Sequence, residues 1–275
     1  MFLFELLKAL IFGIIEGVTE WLPVSSTGHM LLLDGLLRLN VSDSFYEVFE
    51  VLIQLGAACA VAVKYRERLT PFGKSAEGRR ATRRLWQATL LGVLPSAVIG
   101  LLFDDLIEEK LYTPTVVALM LILYGAAFII AEALMKKGTP KATDLSHIDN
   151  KKAITVGLFQ ILSLVPGTSR SGVTILGAYL CGASRSLAAE FSFLLALPTM
   201  IGAGALRGVK FIAEGNGLRL SELAILAAGT LTAYAVSRIV VDFLTDFVRK
   251  HGFLIFGIYR IILGGILLFY FWGRT

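Results

Sequence analysis

The sequence predicts an all-α, polytopic membrane protein with six transmembrane helices plus two re-entrant, broken-helix hairpins in an inverted repeat. Hydrophobic residues make up 56% of the chain and charged residues only 17%, whereas soluble domains carry about 25% charged residues. Several apolar runs of about 20 residues are long enough to cross a hydrocarbon core of roughly 30 Å. Two other apolar stretches are interrupted by Pro, Gly and Ser. We therefore expect a single integral membrane domain over residues 1–275.

The basic residues predict the orientation of these helices. The net charge is +5, and much of it lies in two segments between apolar runs, made up of Lys64, Arg66, Arg68, Lys74, Arg79, Arg80, Arg83 and Arg84, and of Lys136, Lys137, Lys141, Lys151 and Lys152. Cytoplasmic loops carry an excess of Lys and Arg. Both segments are therefore placed in the cytoplasm, and no nucleic-acid partner is expected. The acidic turn from Asp104 to Tyr112 is placed outside.

Six crossings follow from the alternation of sides. The runs predicted to cross inward are 45–63, 115–135 and 223–243. Those predicted to cross outward are 85–103, 188–206 and 253–272. Each run is apolar and of spanning length, so each is assigned one complete transmembrane helix.

Residues 1–38 and 153–187 do not fit as single crossings, because each stretch is apolar but broken in its middle. The breaks read GVTEWLPVSSTGH from Gly17 to His29 and SLVPGTSRSG from Ser163 to Gly172. Each stretch is predicted to form two half-helices that enter and leave the membrane on the same side. Broken backbone of this kind is tolerated only where protein or water covers it.

The two halves of the chain align with each other. The matched positions are Gly13 with Gly157, Glu16 with Gln160, Ser25 with Ser169, Thr27 with Ser171, and Gly28 with Gly172. Repeat one (1–135) and repeat two (153–275) then each contain a hairpin followed by three spans. Because three is odd, the second repeat is inverted, and the two broken tips are expected to meet near the membrane midplane.

Glu16 and Glu20 are four residues apart and therefore share one helix face. Two carboxylates inside a membrane are costly unless they are paired or bind a cation. The pair is predicted to bind one metal ion, and the alternative is a structural pair of hydrogen-bond acceptors at a helix kink.

The two breaks resemble anion-binding helix starts. Pro23 ends the first half-helix, and Ser25, Ser26 and Thr27 follow where an N-cap is expected. The second break repeats the pattern from Pro166 to Gly172 and adds Arg170, whose guanidinium can bind phosphate by two hydrogen bonds. Free N–H groups at opposed helix starts would bind a pyrophosphate. Simple capping is the alternative, but it does not account for Arg170.

His29 lies three residues after Ser26 and is a candidate proton acceptor near neutral pH. The alternative is a hydrogen bond between His29 and a neighbouring helix. Glu50 in the first span and Glu190 at the start of the matching span are weaker candidates. They either line the cavity or tie helices together.

These motifs resemble the undecaprenyl-diphosphate phosphatase family, the bacitracin-resistance membrane phosphatases. The resemblance lies in EGVTEWLPVSSTGH (Glu16 to His29) and PGTSRSGVT (Pro166 to Thr174), and extends through FEVLIQLG (Phe49 to Gly56) and EFSFLLALP (Glu190 to Pro198). It implies hydrolysis of undecaprenyl diphosphate to the monophosphate lipid carrier in the bacterial inner (plasma) membrane, at a cavity facing the periplasm or exterior. It also implies a need for Mg²⁺ or Ca²⁺ and a homodimer.

The resemblance also assigns roles to residues. The acidic pair maps onto Glu16 and Glu20, the serine and histidine onto Ser26 and His29, and the phosphate-binding arginine onto Arg170. Further residues expected to contact the substrate are Ser25, Thr27, Gly28, Gly167, Thr168, Ser169 and Ser171. Ser26 is expected to attack the terminal phosphorus, with His29 accepting its proton. Attack by Ser25, by His29 or by a metal-bound water stays open.

A polyprenyl-phosphate transporter or flippase is the main rival function, since carriers often combine inverted repeats with helices broken at the midplane. A purely structural membrane scaffold is a more distant alternative. The acidic pair, Ser26 and His29 exceed what a carrier needs, so they favour an enzyme.

Overall fold

The computed structural model describes residues 2–135, 140 and 142–272, and this part of the chain is almost entirely helical. The helices are α1 (Phe2–Thr19), α2 (Ser26–Leu37), α3 (Asp43–Lys64), α4 (Arg66–Leu69), α5 (Ala76–Leu111), α6 (Pro114–Met135), α7 (Asn150–Ile161), α8 (Arg170–Leu180), α9 (Arg185–Ala213), α10 (Leu220–His251) and α11 (Leu254–Phe271). Short 3₁₀ turns lie at Leu145–His147 and Leu162–Leu164. The all-α fold class is confirmed.

Six of these helices are long and apolar enough to cross a membrane, which confirms the predicted set of spans. They are α3, α5 over Ala76–Phe103, α6 over Pro114–Leu134, α9, α10 and α11. Large apolar side chains such as Leu101, Leu231 and Phe269 point outward and are 66%, 67% and 85% exposed. This exposed apolar surface suits hydrocarbon rather than water.

The predicted acidic turn at Asp104 to Tyr112 is wrong as local structure, because α5 continues without interruption to Leu111. The stretch contains no Gly or Pro, and its Leu, Ile, Glu and Lys residues favour a helix. Charge marked the end of the apolar run and not the end of the helix. Likewise, Arg79 to Arg84 belong to the start of α5. Lys136, Lys137 and Lys141 of the second basic segment lie outside the described residues.

The two broken helix pairs lie at the predicted places, as α1 with α2 and α7 with α8. Helix α1 packs mainly on α10 of the second half, and α7 packs mainly on α5 of the first half. Because each of these helices packs on the opposite half of the chain, both breaks lie in the interior of the bundle. Helix α8 is buried from Ser171 to Tyr179. That the pairs enter and leave the membrane on one side stays a prediction.

Glycines allow the closest helix contacts. Gly125 of α6 and Gly257 of α11 face each other, and a Cβ atom added to either would lie 2.7 Å from the other's carbonyl oxygen. Small residues at such crossings let helix backbones approach closely, which is how apolar helices associate where the surrounding lipid is equally apolar. The contact between α6 and α11 therefore depends on the absence of side chains at these two positions.

We predict that Gly257→Ala destabilises the protein by about 1–3 kcal/mol, because the new methyl group forces α6 and α11 apart. The measurement is the apparent Tm in detergent. Gly265→Ala on the same helix is the matched control, since a Cβ there meets nothing within 4 Å. A Tm for Gly257→Ala at or above that of the control would contradict this account of the crossing.

Candidate active site

The two breaks share one local geometry at the start of the second half-helix. Ser25 (φ 72°) and Ser169 (φ 73°) are the only non-glycine residues with positive φ among the described residues. The Ser25 hydroxyl accepts a hydrogen bond from the Gly28 N–H (3.3 Å), and the Ser169 hydroxyl accepts one from the Gly172 N–H (3.1 Å). The N-caps predicted at the breaks are therefore these two serines. Positive φ is uncommon for a side-chain-bearing residue, so its recurrence at aligned positions indicates a shared constraint.

The Glu20 carboxylate connects the two breaks. One oxygen accepts hydrogen bonds from Arg170 Nη2 (3.0 Å) and Nε (3.3 Å), and the other accepts a hydrogen bond from the Ser26 hydroxyl at 2.8 Å. The Glu20 side chain is 7% exposed and that of Arg170 is 11% exposed. Such charge-assisted hydrogen bonds are stronger than neutral ones. The structure thus joins Glu20, Ser26 and Arg170 in one buried cluster.

The Arg170 guanidinium is held by more than its carboxylate partner. Nη1 donates to the Ser192 carbonyl oxygen of α9 at 2.9 Å, and the guanidinium lies 5.8 Å from the centre of the Trp21 ring. The Ser192 hydroxyl is itself 2.6 Å from that of Thr174. Arg170 is therefore fixed in orientation by Glu20 and Trp21 of the first break and by Ser192 of α9.

Glu16 contributes a buried carboxylate with unused capacity. It is 1% exposed, and its Oε1 atom has no hydrogen-bond partner among the described residues. The Glu20 N–H donates to the Glu16 carbonyl oxygen at 3.0 Å, so the two glutamates lie one helical turn apart. Glu190 does not join this cluster: it forms an ion pair with Arg68 at 2.9 Å, which links α9 to α4. Within the described residues, no three or more His, Cys, Asp or Glu side chains form a metal-binding group.

Both ring nitrogens of His29 are hydrogen-bonded to groups other than the Ser26 hydroxyl. Its Nδ1 lies 2.7 Å from the Ser25 carbonyl oxygen, and its Nε2 lies 2.7 Å from the Tyr259 hydroxyl. A carbonyl oxygen only accepts hydrogen bonds, so we assign the proton of the neutral ring to Nδ1, and Nε2 accepts from Tyr259. The serine–histidine pairing expected for proton transfer is not among these contacts, because Ser26 donates to Glu20 instead.

The remaining predicted substrate contacts lie around the same breaks. Thr27 and Gly28 form the first turn of α2, and Ser171 forms that of α8. Gly167 has φ 88°, and a Cβ there would collide with the backbone of Val117. The Thr168 side chain is fully buried, and its hydroxyl has no hydrogen-bond partner in the part of the chain that the structure describes.

Sequence reasoning missed four residues that hold this site: Trp21, Ser192, Tyr259 and Arg260. Arg260 is fully buried and contacts both breaks. The sequence did contain one signal, since an arginine inside an otherwise apolar span marks a functional site by default. Nothing in the sequence identified the partners of Arg260 or Tyr259, which lie more than 90 positions away.

Comparison with known proteins finds similar sequences over nearly the whole chain. Residues 9–266 match the family described as Bacitracin resistance protein BacA. The undecaprenyl-diphosphatase of Enterococcus faecalis is 50% identical over 97% of both chains. That of Streptococcus thermophilus is 49% identical over 98% of this chain and 94% of its own. That of Streptococcus pyogenes serotype M4 is 49% identical over 98% of both.

We predict that neutral His29 carries its proton on Nδ1, which ¹⁵N NMR of histidine-labelled protein in detergent can measure. His147 is an internal contrast, because its Nδ1 accepts from the backbone N–H groups of Thr143 and Asp144 and its proton must lie on Nε2. Tyr259→Phe should shift the His29 Nε2 signal and leave His147 unchanged. A proton on Nε2 of His29, or no response to Tyr259→Phe, would show that the assigned pairing is absent.

Proposed function

We propose that this chain, which belongs to the bacitracin resistance protein BacA family, hydrolyses undecaprenyl diphosphate to undecaprenyl phosphate and inorganic phosphate. The observation that carries the proposal is the buried Glu20 carboxylate, which accepts a hydrogen bond from the Ser26 hydroxyl and pairs with Arg170. A hydroxyl held against a carboxylate and beside a fixed guanidinium suits phosphoryl transfer. A carrier or flippase needs the cationic group but has no use for an activated hydroxyl, so the transport alternative is not favoured.

The diphosphate is proposed to lie between the starts of α2 and α8. Helix N-termini present free N–H groups and a partial positive charge, which favour phosphate oxygens. Ser25, Thr27 and Gly28 supply the first start, and Ser169, Arg170 and Ser171 supply the second, with Gly167 and Thr168 just before it. The contact between the breaks supports this placement, since the Ser171 hydroxyl donates to the Leu22 carbonyl oxygen at 3.2 Å. The Thr168 hydroxyl, which has no hydrogen-bond partner among the described residues, is a donor that a ligand can use.

Ser26 is the proposed nucleophile, because the Ser25 hydroxyl is fully buried and is used as a helix cap. Ser26 Oγ bonds to the terminal phosphorus, its proton passes to Glu20, and the bond from phosphorus to the bridging oxygen breaks to release undecaprenyl phosphate. Water then cleaves the phosphoserine and gives inorganic phosphate. We assign His29 to the activation of that water, once the hydrogen bond between His29 Nε2 and the Tyr259 hydroxyl has broken. Direct attack by water remains the alternative route.

A divalent cation, Mg²⁺ or Ca²⁺, is proposed to bind at Glu16 and Glu20. The residues fit such an ion, because Glu16 Oε1 is a buried carboxylate oxygen without a hydrogen-bond partner among the described residues. Mg²⁺ commonly binds through one or two carboxylates together with substrate phosphates. When bound, the cation would neutralise the charge that develops on the phosphate oxygens. Glu16 and Glu20 would hold it next to the Ser26 hydroxyl.

The identity of the membrane, the side on which the site opens and the oligomeric state of the protein are also proposed here. We place the protein in the bacterial plasma membrane, with the cavity open to the periplasm or cell exterior, and as a homodimer. Two inverted repeats, 1–135 and 153–275, are proposed on the matched N-caps Ser25 and Ser169. The packing of α1 on α10 and of α7 on α5, each in the opposite half of the chain, supports the same arrangement.

We expect purified protein in detergent to release phosphate from farnesyl or undecaprenyl diphosphate, a condition in which transport cannot occur. Ser26→Ala should lower kcat by about 10³-fold or more, as expected on loss of a nucleophile. Ser42→Ala, which removes the N-cap of α3 far from the breaks, is the control and should keep turnover. Folded wild-type protein that releases no phosphate with added cation would support the carrier instead.

We expect chelation of divalent cations to stop turnover, because the buried acidic pair needs a positive charge near the diphosphate. Glu16→Gln should raise the Mg²⁺ or Ca²⁺ concentration for half-maximal rate by at least about tenfold, since one charged ligand is lost. Glu47→Gln, at a half-exposed carboxylate paired with Arg207, is the matched control. Activity that survives thorough chelation, with no change in cation requirement in Glu16→Gln, would assign the pair to proton transfer.

A further inference from the structure

Arg260 is a fully buried arginine in α11 that has no carboxylate partner among the described residues. In the part of the chain that the structure describes, its guanidinium donates to backbone carbonyl oxygens alone. The acceptors are those of Thr168 (2.9 Å), Gly167 (3.0 Å), Pro23 (3.3 Å), Met120 (3.4 Å) and Leu121 (3.5 Å). A single side chain therefore contacts both breaks and the neighbouring helix α6.

The carbonyl groups that Arg260 contacts at the breaks have lost their helical donors. Pro23 precedes the cap of α2, and Gly167 and Thr168 precede the cap of α8. At membrane depth no water replaces the missing helical hydrogen bonds, so the protein must supply donors. Only a planar guanidinium offers enough N–H groups in a fixed fork to reach carbonyls of both segments at once. A lysine ammonium carries the same charge without this geometry.

Arg260 also lies directly behind the helix start that is proposed to bind phosphate. A Cβ atom built on Gly172, in the first turn of α8, would lie 3.3 Å from Arg260 Nη1. A buried charge without a counter-charge is unfavourable. An anion bound at the start of α8 would relieve this, so the positive charge of Arg260 favours the phosphate from behind the helix.

We infer that Arg260 is the positioning residue of the diphosphate site, and that it holds the starts of α2 and α8 in register through the carbonyl oxygens of Pro23, Gly167 and Thr168. It does not touch the diphosphate itself. The inference rests on the proposed placement of the diphosphate between these helix starts. It adds that the span α11, which carries none of the predicted catalytic residues, determines the geometry of the site.

The test replaces Arg260 by Lys, which keeps the charge, and by Gln, which keeps two donors. Hydrogen exchange should speed up by roughly tenfold or more in the peptides around residues 20–28 and 163–172, because the hydrogen bonds that order them are lost. The kcat/KM for farnesyl diphosphate should fall by a similar factor, and inhibition by inorganic phosphate should weaken in parallel. Arg238→Lys is the matched control, since Arg238 also donates to a backbone carbonyl, that of Ala60, but away from the breaks.

The outcomes separate the inference from the proposed function. Faster exchange at both breaks with wild-type kinetics would support the role of Arg260 and overturn the placement of the diphosphate. Lost turnover with unchanged exchange at the breaks would overturn the inference, as would faster exchange spread evenly over all helices. A measurement on the wild type covers the case in which neither variant folds. Inorganic phosphate should slow exchange at both breaks together, and protection of only one break would overturn the inference.

Discussion

A backbone that is broken at membrane depth must find its hydrogen-bond partners inside the protein, and this requirement governs the structure around the candidate site. An unsatisfied N–H or carbonyl group in an apolar environment costs roughly 2–7 kcal/mol. Here Ser25 and Ser169 accept from the N–H groups of the following turns, and Arg260 donates to the carbonyls. The groups that satisfy the breaks thereby also fix two helix starts side by side. The same construction that makes the breaks tolerable produces a place suited to a diphosphate.

The two halves supply similar geometry but opposite charge. In the alignment of the halves, Glu16 corresponds to Gln160 and Ser26 to Arg170. The Gln160 amide donates to the hydroxyls of Ser96 (2.6 Å) and Thr199 (3.2 Å), so it ties α5 to α9 and carries no charge. A second pair of carboxylates would repel both the first pair and the phosphates. Charge balance therefore favours a second break that keeps the N-cap serine, Ser169, and carries the positively charged Arg170.

The six spans and most of the polar cluster were predictable, because apolar runs and intramembrane charges are local signals. Glu16, Glu20 and Arg170 stood out as ionisable residues in apolar stretches, and the N-caps followed from Ser after a break. The partners were not predictable, since Ser26 was paired with His29 by sequence proximity while the folded chain presents Glu20 to it. Tyr259 and the carbonyl acceptors of Arg260 depend on how α11 crosses the breaks, which no local pattern encodes. The acidic residues at the end of α5 also led to a wrong prediction of a turn, because their charge favours contact with water and does not end the helix.

The pairing of Arg170 with Glu20 has a consequence for how cation and diphosphate bind in the proposed mechanism. In the structure the guanidinium makes two hydrogen bonds to one Glu20 oxygen. A diphosphate that takes hydrogen bonds from Arg170 would weaken this hold and free that oxygen for a cation beside Glu16. A cation at the two glutamates would in turn offset the repulsion between the carboxylates and the phosphates. Each ligand then favours the other, and thermodynamic linkage requires that the cation strengthen diphosphate binding by the same factor as the diphosphate strengthens cation binding.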